Sequence, residues 1–120
     1  MKITSFNPLL LTKNAETYKK LFENLGFEQI HNKTGATFDS FSMKNADGFR
    51  VDVTQADKIP QDMMTIRMSV DNFEEAYELL SAQGFMNINR DKVTDTGSSK
   101  AALMVSPSGV SISLSQHIKD

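Results

Sequence analysis

Leu21-Phe22-Glu23-Asn24-Leu25-Gly26-Phe27 recurs as Leu79-Leu80-Ser81-Ala82-Gln83-Gly84-Phe85, at a spacing of 84 − 26 = 58 residues. Further on, Asp47-Gly48-Phe49-Arg50-Val51-Asp52-Val53-Thr54-Gln55 recurs as Ser108-Gly109-Val110-Ser111-Ile112-Ser113-Leu114-Ser115-Gln116, at 109 − 48 = 61. Two halves of roughly sixty residues are too long for a solenoid repeat and too few for an array. They fit a supersecondary module that has been duplicated within one domain of 120 residues, with modules at 1–55 and 63–120, a linker at 56–62, and a two-fold-related site expected between them.

Outward from the repeat, each half reads as strand, helix and three strands. Phe6–Leu11 is a short apolar strand. Ala15, Tyr18, Leu21, Phe22 and Leu25 then recur at helical spacing, and Gly26 is placed for the left-handed position that closes a helix, with Phe27 folding back on its last turn. In the second half Phe73, Ala76, Tyr77 and Leu80 form the stripe, Asp71 and Glu74 stand in capping-box register, and Gly84-Phe85 closes the helix. Short strands are expected around Ile30 and Ile88, then at Phe38–Met43 and Ala101–Val105. The turns Asn45-Ala46-Asp47-Gly48 and Ser106-Pro107-Ser108-Gly109 lead into Phe49–Thr54 and Val110–Ser115. In these last strands Val51 and Val53, and Ile112 and Leu114, share one face. Arg50, Asp52 and Thr54, and Ser111, Ser113 and Ser115, share the other. Asp95-Thr96-Gly97-Ser98-Ser99 reads as a hairpin loop. Pro8 is the discordant residue, since within a strand it removes a ladder donor.

Composition narrows the function classes. With 39% hydrophobic and 23% charged residues the chain matches an ordinary soluble globule. A net charge of −2 without a Lys/Arg cluster gives no footprint for nucleic acid. The absence of cysteine excludes disulfides, thiolate nucleophiles and zinc–thiolate sites. No run approaches membrane-spanning length and the first residues do not resemble a signal peptide, so a cytoplasmic protein is expected.

A duplicated βαβββ unit resembles the vicinal oxygen chelate superfamily, which includes glyoxalase I, bleomycin-resistance proteins and extradiol dioxygenases. The resemblance spans the whole chain. Its most specific parts are Ser106-Pro107-Ser108-Gly109-Val110-Ser111-Ile112-Ser113-Leu114 and the helix start Val70-Asp71-Asn72-Phe73-Glu74-Glu75-Ala76. It implies an α+β fold in which two βαβββ modules form a curved, eight-stranded mixed sheet around a cleft. It also implies four inward metal-ligand positions, matched here by Asn7, Asp52, Thr65 and Ser113, and a homodimer. A catalytic transition metal needs about three histidine or carboxylate ligands, and of these four only Asp52 is one. No metal or other cofactor is therefore expected.

Asp52 reads either as a ligand or general base, or as a strand carboxylate paired with an arginine. Arg67, two residues beyond Thr65 on the same strand face, is the matching partner, or presents its planar fork to a ligand carboxylate or phosphate. Arg50 shares the inward parity near a turn, where a solvated rim position is expected. His31 and His117 are the two titratable imidazoles and lie toward element ends. Ser111, Ser113 and Ser115 form a polar wall rather than a nucleophile site, because no elbow turn supports them. Met63, Met64, Met68 and Met104 read as core or interface filler. The expected function is metal-free binding of a small polar or anionic ligand between the modules, with Asn7, Arg50, Asp52, Thr65, Arg67 and Ser113 as its contacts. A superfamily lyase or isomerase with an atypical or absent metal site, and a protein-interaction module with a vestigial cleft, stand as alternatives.

Overall fold

A computed structural model describes residues 1–30, 40–90, 92–95, 97 and 99–117. The described elements are β1 (Ile3–Thr12), α1 (Ala15–Asn24), β2 (Glu28–Gln29), β3 (Ser40–Lys44), β4 (Arg50–Gln55), β5 (Met63–Val70), α2 (Phe73–Ala82), β6 (Met86–Asn87), β7 (Thr94–Asp95), β8 (Ser99–Val105) and β9 (Ser111–His117). The architecture is α+β with mixed strand pairing. The described residues hold nine strands, one more than the eight expected. The addition is β7, which pairs antiparallel with β8 on either side of the stretch expected as a hairpin loop. No helix among the described residues is long and apolar enough to cross a membrane.

The chain forms two compact units, one of Asn7–Met64 and one of Met1–Phe6 with Thr65–Asp120. In the first, β2 pairs antiparallel with β3 and β3 antiparallel with β4. Strand β4 then runs parallel to β1, from Leu9↔Asp52 to Thr12↔Gln55. This ladder starts one residue after Pro8, so the missing donor lies just outside it. In the second unit β6 and β7 pair antiparallel with β8, and β8 antiparallel with β9. Strand β9 runs parallel to β5, from Ile66↔Ile112 to Ser69↔Ser115. Each unit thus repeats one rule: the last long strand returns parallel to the first, with the helix as crossover.

Identical local chemistry produces that repeat. Helix α1 ends with Phe27 N–H donating to Phe22 O at 2.9 Å, and α2 with Phe85 N–H donating to Leu80 O at 3.0 Å. Both are six-to-one Schellman bonds that need the left-handed glycines Gly26 (φ 100°) and Gly84 (φ 94°). The Phe22 and Phe27 rings meet edge to face at 5.8 Å, the apolar contact that accompanies such a close. In the turns, Gly48 N–H donates to Asn45 O and Gly109 N–H to Ser106 O. Asn45 Oδ1 and Ser106 Oγ each accept a further backbone N–H, from Phe49 and Val110.

A glutamine closes each module. Ala15 N–H donates to Gln55 Oε1 at 3.0 Å, while Gln55 Nε2 donates to Lys13 O at 2.7 Å. Phe73 N–H donates to Gln116 Oε1 at 2.7 Å, while Gln116 Nε2 donates to Asp71 O at 2.9 Å. Each amide satisfies one orphan donor of the first helical turn and one loop carbonyl, locking the helix start to the end of the last strand.

Helix α2 is capped by Asn72, whose side chain accepts from Glu75 N–H, and not by Asp71 as the register suggested. Asp71 Oδ1 instead accepts from Lys2 N–H, and Asp71 N–H donates to Lys2 O, so its side chain is committed to the N-terminal segment. Met68, Val70, Phe73, Ala76, Ala102, Met104 and Leu114 form the core of this unit. Leu9, Leu10, Ala15, Met43, Val51 and Val53 are buried in the other. Met64 is exposed, so the methionine filler is confined to particular positions. Leu21 and Leu25, expected on the α1 stripe, are 45% and 62% exposed. At about 100° per residue the buried stripe centres on Ala15, Tyr18 and Phe22, leaving Leu21 at its edge.

Replacing Gln116 by alanine is expected to lower stability by about 1–3 kcal/mol, because the Phe73 N–H loses its acceptor in a partly buried position. Urea denaturation of Gln116→Ala against the parent chain measures this, and an unchanged midpoint would show that the clamp is not needed.

Candidate functional site

The strand pairings place the sequence-derived residues unit by unit. In the Asn7–Met64 unit, Asp52 lies between Leu9 on β1 and Ser42 on β3 as Cα partners. It is 2% exposed, so the face of β4 opposite Val51 and Val53 is covered at this point rather than open to solvent. Ser42 was missed in the sequence, although counting back across the Asn45–Gly48 turn places it opposite Asp52. Asn7 is buried, and its Nδ2 donates to Pro8 O at 2.9 Å. On the next row, Ser40 Oγ and Thr54 Oγ1 lie 3.0 Å apart. Arg50 is exposed beside Lys44, as a rim residue would be.

In the other unit, Thr65, Arg67 and Ser69 alternate along β5 with the core residues Met68 and Val70. Arg67 and Ser113 are Cα partners, as are Ser69 and Ser115, whose hydroxyl oxygens lie 2.9 Å apart. Leu103 and Ala101 of β8 flank Ser113 and Ser115. Thr65 is 2% exposed, and its buried Oγ1 has no hydrogen-bond partner among the described residues. The duplicated positions therefore carry different chemistry. One unit sets a carboxylate on its last strand beside leucine, and the other sets an arginine on its first strand beside serine. His117 is exposed at the end of β9, and His31 lies outside the described residues.

Two hydroxyls, one amide and one carboxylate do not make a donor set for a catalytic transition metal. Among the described residues no three His, Cys, Asp or Glu side chains converge.

No family model matches the chain. No curated protein matches it in sequence. Solved structures do resemble it. Glyoxalase I from Zea mays superposes with a TM-score of 0.69 at 12% identity, over 96% of this chain and 43% of the maize chain. A glyoxalase/bleomycin resistance protein/dioxygenase superfamily member from Vibrio splendidus 12B01 gives 0.61 at 15% identity, covering 96% of this chain and 99% of its own. A chain described as NAD-dependent benzaldehyde dehydrogenase from Legionella pneumophila gives 0.68 at 13%, covering 94% and 99%. This sequence holds no Gly-x-Gly-x-x-Gly dinucleotide fingerprint. At such identities the likeness is one of fold, and this chain has the vicinal oxygen chelate fold.

A buried hydroxyl without a partner costs stability, so Thr65→Val is expected to leave the ligand-free protein as stable as before or to gain up to about 1 kcal/mol. Urea denaturation decides. A loss above that size would show that the hydroxyl is well bonded in the folded state.

Proposed function

We propose that this chain binds a small polar or anionic molecule with the polar face that β5 and β9 share, by direct hydrogen bonds and charge rather than through a metal. The observation that carries this reading is the donor set. The resemblance implies four metal-ligand positions, and the residues it matches to three of them, Asn7, Thr65 and Ser113, carry neutral amide or hydroxyl groups. Such groups bind transition metals poorly but pair well with the oxygens of a ligand. The buried Thr65 hydroxyl supports the same reading, since a polar group kept from water needs a partner. Arg67 is the anchor: its guanidinium offers a planar fork to a carboxylate or phosphate, and Ser113 beside it adds a hydroxyl.

An enzyme reading draws on Asp52. A buried strand carboxylate is the one group of this set able to take a proton, as a lyase or isomerase requires. Conversion of a bound ligand that stops on Asp52→Asn would favour it over simple binding.

A thermal-shift screen of small carboxylates, phosphates and polyols supplies the ligand, because specific binding raises the melting temperature by mass action. Calorimetry with that ligand should then show Arg67→Ala weakening binding by about 1.5–3 kcal/mol, the worth of a charge-assisted hydrogen bond, with the melting temperature of the free protein little changed. A lowered melting temperature in both Arg67→Ala and Asp52→Asn, with affinity intact, would make the two charges structural and remove the anchor.

A further inference from the structure

Helix α2 and the β7–β8 hairpin flank a groove of about 440 Å³ that shares no residue with the polar strand faces. Strand β7 supplies one wall through Asp95. Its floor is Phe73, Tyr77 and Val93. Phe73 is 3% exposed, its ring lies 5.8 Å from that of Tyr77, and Tyr77 and Val93 both pack on the buried core. The floor is therefore held in place, and the volume falls within the usual range for small-molecule pockets.

The rim is acidic. Glu74 and Glu78 stand one helical turn apart on α2, and Asp95 faces Lys100 across the β7–β8 ladder. Lys100 is the single cation among the described lining residues, and its Nζ is bonded to Glu74 Oε1. That bond holds the Glu74 carboxyl below its usual range and raises the Lys100 ammonium, so both are charged at neutral pH. Three carboxylates thus surround an aromatic floor against one lysine that is already engaged.

We propose that this groove binds a small organic cation, an ammonium group carried on a flat apolar body. The body covers the partly exposed Tyr77 and Val93, which the buried Phe73 supports from below, removing apolar surface from water, while the ammonium lies among Glu78, Asp95 and Glu74. An anion of the same shape meets like charge, and a neutral analogue loses the electrostatic share.

The test titrates the ¹⁵N-labelled full chain with phenethylammonium, 2-phenylethanol and phenylacetate, which share a ring and differ in charge. Phenethylammonium should shift amides of α2 and the β7–β8 hairpin with a Kd of about a millimolar, as expected for so small a ligand. The alcohol should bind at least about threefold more weakly and the acid more weakly still. Glu78→Gln and Asp95→Asn should each weaken phenethylammonium about two- to fivefold, as exposed ion pairs do, without altering the melting temperature. Equal binding of all three probes, shifts located elsewhere, or no shift with phenethylammonium would each overturn the proposal. None of these outcomes bears on Arg67 or Asp52, so this site stands or falls apart from the proposed function.

Discussion

The glutamine at the end of each module's last strand is the interaction on which the rest of the fold depends. A βαβββ unit must return its final strand parallel to its first, and the helix between them has donors at its start that nothing in the helix can satisfy. Gln55 and Gln116 solve both problems with one amide. Oε1 takes a first-turn N–H and Nε2 reaches the carbonyl of the preceding loop. The helix is thereby fixed against the strand at a defined height. The strand ladders and the period-two alternation then decide which residues of β4 and β9 face the core and which face away. The polar residues Asp52 and Ser113 lie three positions before these glutamines, on strands whose pitch the clamp helps to define.

Duplication gives two copies of this frame, and the two copies differ on the strand faces that do not pack on helices. The core faces remain interchangeable in kind: Val51 and Val53 in one unit, Ile112 and Leu114 in the other. On the opposite faces the pairs have separated into Asp52 beside Leu9 and Ser113 beside Arg67.

Much of this was legible in the sequence because it rests on local rules. Gly26 and Gly84 closed the helices, the two four-residue turns set the hairpins, and period-two alternation assigned the strand faces. The less legible features depend on contacts made at a distance. Asp71 looked like the cap of α2, but the N-terminal segment claims it and the cap passes to Asn72. Strand β7 is two residues long, too short for any periodicity, and exists because β8 offers it an edge. Leu21 and Leu25 match the helical spacing yet stay exposed, since the buried stripe centres on Ala15, Tyr18 and Phe22. The burial of Asp52 has no sequence signal either, because alternation assigns a side and not what covers it.

The central claim is that ligand recognition on this fold needs no metal. The most direct measurement is the melting temperature of the protein with its best small anionic or polar ligand, before and after exhaustive treatment with EDTA. The ligand-induced rise is expected to persist unchanged after chelation. A rise that disappears with EDTA and returns on adding a divalent transition metal would contradict it.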